Sequence, residues 1–333
     1  MFHLIVSLID LLFSPNSLYV LENLWKVQLI LIIPATTCGK STVTLDLVSK
    51  NNSYLQIVDG GFDMLTVEQV KAFERDGFIK GEVVLNDEEV ELLRRELDLV
   101  LEGKTVKKPV LNRNLADKSE YGMSMEANET IVQVVNIWMA SDIYLQHAAN
   151  RTLCEDVAQL AGIDTLRIWH DQIQYKPPLT GGPTKWHQDH PLWPIIQPSE
   201  LISAWVALDD AVIENGCMWM VPGSHTWGDH QRHLLHGEDH MPQHKRPELL
   251  PPGVEIKPVP FEIKKGQVGY HHCMTWHGSL PNHSEMKRRA IAVHYMPGNI
   301  RYVPVGNHPM RKHIHVQPGE LLTGADFPVV YTK

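Results

Sequence analysis

Apolar residues recur at helical spacing in three stretches ahead of residue 165. In Thr66-Val-Glu-Gln-Val-Lys-Ala-Phe-Glu-Arg-Asp-Gly, Thr66 and Gln69 form a candidate capping box and Gly77 supplies the stop. Asn86-Asp-Glu-Glu-Val-Glu-Leu-Leu-Arg-Arg-Glu-Leu-Asp-Leu-Val-Leu repeats that logic as an amphipathic helix closing at Gly103. A third helical stretch covers about 141–161 and ends at Gly162. After residue 165 the pattern shortens. Thr165–Tyr175, Leu201–Leu208, Gly216–Val221, Gln267–Met274 and Arg289–Tyr295 read as short strands separated by Pro/Gly-rich turns. The expected fold is therefore mainly β with flanking helices, the helices first and then a β core of the jelly-roll kind.

Residues 1–63 follow neither pattern. Two apolar runs, Phe2–Phe13 and Leu29–Pro34, are each shorter than the roughly 18–20 residues that cross a bilayer as a helix. No basic residue precedes the first run, as a signal peptide would require. We expect an N-terminal extension over 1–63, with Met64 as an alternative start, followed by one domain over 64–333. Residues 29–42 imitate a strand running into a phosphate-binding loop, ending Cys-Gly-Lys-Ser-Thr. The first glycine of such a loop is replaced by Pro34, which has no N–H and a fixed φ, so nucleotide hydrolysis is not expected.

Composition narrows the function classes. A formal charge of −9 lacks the overall basic footprint of a nucleic-acid binder. Cys38, Cys154, Cys217 and Cys273 are scattered and form no CxxC pair, so reduced thiols in a cytoplasmic protein are expected. No stable membrane insertion is expected either. The 19 histidines are an unusually large number for this length, and histidine is the commonest metal ligand.

The chemistry concentrates in Thr184-Lys-Trp-His-Gln-Asp-His-Pro-Leu-Trp-Pro. On a strand, His187 and Asp189 would point to one face and supply two members of a 2-His-1-carboxylate site for Fe(II). His277, in Cys273-Met-Thr-Trp-His-Gly-Ser, is the candidate third ligand, with the neighbouring His271 and His272 as competitors. Arg288 follows eleven residues later and could pair bidentately with a carboxylate. Strand alternation puts Arg288, Ala290 and Ala292 on one face and Arg289, Ile291 and Val293 on the other.

The ordered set of His-x-Asp, Ala-Trp-Val-Ala-Leu-Asp-Asp (204–210), Asn-Gly-Cys-Met-Trp-Met-Val-Pro-Gly-Ser-His (215–225) and His-Gly-Ser…Asn…Arg-Arg-Ala resembles the phytanoyl-CoA dioxygenase family. The likeness spans roughly residues 65–300 and includes Phe73-Glu-Arg-Asp-Gly-Phe-Ile. It implies a double-stranded β-helix (cupin-like) and an Fe(II)- and 2-oxoglutarate-dependent oxygenase using O₂. Carried over, His187, Asp189 and His277 would bind iron. Arg288 and Ser279 would hold the far carboxylate of 2-oxoglutarate, with Trp205, Gln172 and Gln133 also near the co-substrate. The expected reaction is hydroxylation of an unactivated carbon of a small molecule, with formation of succinate and CO₂. Trp193, Trp186 and Tyr175 are candidate substrate contacts.

Two other readings remain open at this level. One is a β-helix protein that binds metal or ligand without turnover. The other is a zinc hydrolase using the histidines of loop 225–244, although His236-Gly-Glu-Asp-His240 lacks the glutamate directly after its first histidine that HExxH chemistry uses.

Overall fold

The computed structural model describes residues 65–115, 129–235 and 250–333, together with the backbone of two strands nearer the N-terminus. The chain divides into two compact units, Met1–Asp63 and Met64–Lys333. In the first, β1 (Val27–Ile33) and β2 (Ser41–Leu47) pair antiparallel. Residues 34–40 between them lie outside the described residues. A phosphate-binding loop would open a helix at Ser41, and a strand begins there instead.

In the second unit α1 (Val67–Asp76) carries the expected capping box. The Gln69 N–H donates to Thr66 Oγ1 and the Thr66 N–H donates to Gln69 Oε1. Gly77 ends it at φ 82, where a Cβ would lie 2.4 Å from His225 Nδ1, so both conformation and space require glycine. Next come β3 (Phe78–Val83) and α2 (Asp87–Leu101), the latter capped reciprocally by Asn86 and Glu89. β4 (Leu111–Asn114) and β5 (Val132–Val135) follow. The third helical stretch is two helices, α3 (Asp142–Ala148) and α4 (Arg151–Ala161). Asn150 breaks the run because its side chain accepts from the Leu153 N–H and caps the second helix.

The β region comprises β6 (Thr165–Lys176), β7 (Thr184–His187), β8 (Ile196–Gln197), β9 (Ile202–Ala207) and β10 (Met218–Met220). After the short helix α5 (Gln231–Leu235) come β11 (Val259–Phe261), β12 (Gln267–His272), β13 (His277–Ser279) and β14 (Arg288–Pro297). The chain closes with β15 (Arg301–Tyr302) and β16 (Val329–Thr332). One antiparallel sheet runs β3-β12-β9-β14-β6-β5-β4, with β16 also on β6, a second runs β11-β10-β13-β7, and β8 pairs separately with β15.

Alternation along the strands of the large sheet assigns its two faces. Ala204, Val206, Val268, Tyr270, Ile291 and Val293 pack outward in one core with helix residues such as Phe73, Leu97 and Leu153. Trp205, Ala207, Ala290 and Ala292 face inward and meet Cys217, Met218 and Phe261 of the small sheet. This two-sheet antiparallel arrangement is a double-stranded β-helix, and the inner faces of its sheets carry the candidate site. The described cysteines, Cys154, Cys217 and Cys273, are buried free thiols. Among the described residues no helix is long and apolar enough to cross a membrane.

Candidate metal centre

His187 ends β7 and His277 begins β13, and the two are register partners with ring centroids 4.1 Å apart. The Nδ1 of His187 lies 2.7 Å from the Lys185 carbonyl, and that of His277 lies 2.9 Å from the Thr275 carbonyl. A carbonyl only accepts, so each Nδ1 carries the hydrogen and each Nε2 presents a lone pair. Asp189 is not on the strand, as the period-two reading had it. β7 stops at His187, and Asp189 stands at the start of a 3₁₀ turn, His190–Leu192, with φ −69 and ψ −53. The turn still delivers its carboxylate to the same point.

Asp189 Oδ1 is 3.6 Å from each of the two Nε2 atoms, and the three ligand atoms lie within 4.8 Å of one another. Atoms 3.6 Å apart are too distant to hydrogen-bond. They can share one metal ion, whose bonds to nitrogen and oxygen run about 2.0–2.2 Å. The intervening Gln188 fixes the turn: its amide donates to the carbonyls of Gly228 and Met274, and its backbone N–H donates to Gln231 Oε1.

The second oxygen of Asp189 is held from the large sheet. His271 Nε2 lies 3.1 Å from Oδ2, and the Ser203 hydroxyl lies 3.3 Å from it. Ser203 also contacts His294 Nδ1 at 2.6 Å. His271 therefore supports the carboxylate from behind and is not in the converging trio, while His272 packs near His225. Burial alone would push the Asp189 carboxyl up, but the neighbouring His277 and His187 rings and the hydrogen bond from His271 hold it well below the ordinary range. Burial, and then His187 beside it, hold His277 well below its ordinary value. An ionised carboxylate and a neutral imidazole are the forms a metal needs.

Arg288 is fully buried at the start of β14, and its guanidinium lies 5.6 Å from the Trp205 ring centroid. Only Nη1 has a protein partner, the Gln174 carbonyl at 3.4 Å; Nε and Nη2 have none. Trp205 Nε1 and Thr184 Oγ1 are likewise buried without partners. Leaving such donors unpaired is costly, and a carboxylate would satisfy them. Burial lowers Arg288 to about 10, which leaves it charged at neutral pH. Arg289 points the other way and clamps Asp209 with two bonds of 2.8 Å. Ser279 is buried on β13, opposite Thr184. Gln133 and Gln172 line the cavity that reaches His187 and Asp189, and they hydrogen-bond to each other at 2.7 Å.

Of the substrate candidates, Trp193 lines that cavity. Trp186 does not: being next to His187 on the strand, it faces away and packs with Val221, Leu234 and Trp276. Tyr175 pairs in register with Arg289 and packs against the outer core, also away from the cavity. In the histidine-rich loop, His225 and His230 contact the Glu74 and Trp227 carbonyls. His236, His240 and His244 lie outside the described residues, as does the side chain of His233.

The family model for phytanoyl-CoA dioxygenase matches residues 73–290. The chain belongs to the phytanoyl-CoA dioxygenase family. It is 23% identical to the peroxisomal phytanoyl-CoA dioxygenase of Rattus norvegicus over 257 residues, covering 73% of this chain and 72% of that protein. It is 25% identical to the ectoine dioxygenase of Bordetella parapertussis over 267 residues, covering 76% and 82%. Among solved structures it resembles SnoK, a non-heme alpha-ketoglutarate-dependent carbocyclase of nogalamycin biosynthesis. That likeness has a TM-score of 0.63 at 26% identity, covering 80% of this chain and 96% of that one.

In this family member the motif reading passed over Ser203, His294, His170 and Thr184, and named His271 only as a rival metal ligand. The signal for two of them was available. Continuing the alternation Arg288, Ala290, Ala292 by one step reaches His294. Stepping back from Gln172 on the paired strand reaches His170, the register partner of His294. Ser203 and His271 carry no local mark, because their role depends on a carboxylate supplied by another sheet.

Proposed function

We propose that the chain is an Fe(II)- and 2-oxoglutarate-dependent oxygenase that hydroxylates an unactivated carbon of a small molecule. The observation that carries this reading is the convergence of His187 Nε2, Asp189 Oδ1 and His277 Nε2 within 4.8 Å, beside a cavity. Family membership and the alpha-ketoglutarate dependence of the SnoK neighbour support it. Three ligands on one side of a metal leave the remaining positions for co-substrate and O₂. Iron with 2-oxoglutarate and O₂ supplies the oxidising step, yielding succinate, CO₂ and an oxidised C–H bond.

The chain's own part is to bind, orient and exclude water. His187, Asp189 and His277 hold the metal, and Ser203 and His271 fix the carboxylate's rotation. Arg288, stacked over Trp205, pairs with the far carboxylate of 2-oxoglutarate, with Ser279 and the unpartnered Thr184 hydroxyl as further donors. Leu111, Val135, Leu192 and Trp193 give the cavity apolar walls that keep water from the reacting centre. No side chain has to act as a general base.

The test is succinate formation by anaerobically Fe(II)-loaded protein, started with O₂ and 2-oxoglutarate across a panel of small molecules and read by mass spectrometry. Iron-dependent succinate stimulated by a panel member, with a product 16 mass units heavier, is the expected result. Tight zinc with hydrolysis, or bound iron without any succinate, would replace this reading by one of the two alternatives.

A further inference from the structure

His170 sits on β6 in the wall of the metal cavity and is 3% exposed, yet neither of its ring nitrogens has a hydrogen-bond partner. Four aromatic rings surround it: His294 with centroids 4.6 Å away, Trp193 at 5.2 Å and nearly perpendicular, and His308 and Trp169 each at 5.7 Å. A buried imidazole without partners carries a desolvation cost that a cavity occupant can relieve. The ring's fixed orientation also makes it a selective contact. Trp193 and His308 line the same cavity, and His308 lies beyond the residues that match the family model.

The co-substrate lies in the other direction. On the β6–β14 ladder Arg288 pairs with Lys176, while His294 pairs with His170 six residues further along. At about 3.3 Å per residue that is a separation of roughly 20 Å along the strands. Asp189 Oδ2 meets Ser203, and Ser203 is itself the register partner of His294, so the metal ligands stand near the His170 end. A five-carbon diacid running from the metal toward Arg288 therefore leaves His170 uncovered. Whatever satisfies His170 is a second molecule.

We infer that His170 anchors the substrate by a hydrogen bond to an uncharged oxygen, a hydroxyl or a carbonyl, carried on an apolar ring or chain that packs against Trp193 and His308. This rests on the oxygenase reading above and specifies the substrate class for it. The imidazole is neutral, since burial and then the neighbouring His308 lower it to about 3, so it offers one N–H and one lone pair. A hydroxyl can use both. At His170 itself a carboxylate would gain no countercharge from the framing rings and would lose its hydration on entry. The cavity's cations are Arg113, which donates to Gln133, and Lys185, and the carboxylate probe below tests whether they hold an acid instead.

The test uses Zn(II)-substituted protein saturated with 2-oxoglutarate, labelled with ¹⁵N on histidine. It is titrated with three probes of one skeleton: cyclohexanol, cyclohexanone and cyclohexanecarboxylate. The His170 resonances are assigned as those missing from the His170→Phe variant. The expected result is that cyclohexanol or cyclohexanone moves the His170 ring nitrogens and binds at least tenfold more weakly to His170→Phe. His170→Gln, which keeps a donor and an acceptor, should recover much of that loss. The inference is overturned if the carboxylate binds most tightly, if neither neutral probe shifts His170, or if His170→Phe binds them as well as the unsubstituted protein does. Failure of the oxygenase reading is seen separately, as failure of the protein to take up metal and 2-oxoglutarate before any probe is added.

Discussion

His187 and His277 stand directly opposite each other across the β7–β13 ladder, and each is held by the carbonyl of the residue two places before it. This shared arrangement aims both Nε2 atoms at Asp189. Replacing His187, Asp189 or His277 by alanine should each abolish stoichiometric Fe(II) binding in anaerobic equilibrium dialysis. His240→Ala should leave it intact. Full iron occupancy and turnover in the His277 variant would show that another histidine is the third ligand.

Ser203 would act on a bound metal only through Asp189. Removal of groups that orient a metal ligand typically weakens metal affinity about 10- to 100-fold, and Ser203→Ala is expected to fall in that range. Competition against a chelator measures it. Unchanged affinity would mean that His271 alone fixes the carboxylate.

Arg288 and Arg289 are neighbours in sequence with separate tasks. Arg288→Ala should weaken 2-oxoglutarate binding by about 2–5 kcal/mol, roughly 30- to 4,000-fold, with little change in iron affinity. Arg288→Lys should recover only part, because an ammonium cannot reproduce a two-pronged contact. Arg289→Ala should instead cost stability, about 1.5–3 kcal/mol in urea unfolding, since it strips Asp209 of a bidentate partner. Calorimetric titration showing the larger co-substrate loss in Arg289→Ala would reverse these assignments.

Asp171 gives the fold a pH dependence of its own. It is fully buried, and burial pushes its carboxyl up to about 8 against the lowering effect of N–H donors such as Trp138. Its folded value is above the unfolded one, near 4, so between these limits the native state holds a proton that the unfolded chain has lost. The contribution of Asp171 to stability is thus full below about pH 4, declines as pH rises toward 8, and levels off above it. Asp171→Asn should flatten that slope in denaturant titrations at several pH values. An unchanged slope would place the dependence elsewhere.

Local chemistry was legible in the sequence wherever a few adjacent residues decide the outcome. Thr66 with Gln69, Asn86 with Glu89, and Gly77 mark helix ends because capping acts over one turn. Five strands from Thr165 onward, β6, β9, β10, β12 and β14, emerge close to their observed bounds, while the shorter β8, β11, β13, β15 and β16 do not. The break between α3 and α4 was missed, since apolar spacing runs on through Asn150. β3 was also missed. Its partner β12 lies nearly two hundred residues away, and no local pattern signals that pairing. Of the proposed site, His187, Asp189, His277 and Arg288 stand out as an ordered set of motifs. Ser203 and His271 meet the Asp189 carboxylate only when the two sheets come together.

The most direct test is an anaerobic crystal structure of the protein with Fe(II) and 2-oxoglutarate. The account predicts one iron bonded to His187 Nε2, Asp189 Oδ1 and His277 Nε2, with 2-oxoglutarate on the metal and its far carboxylate on Arg288. Iron bonded to His271 in place of His277, or 2-oxoglutarate seated away from Arg288, would contradict it.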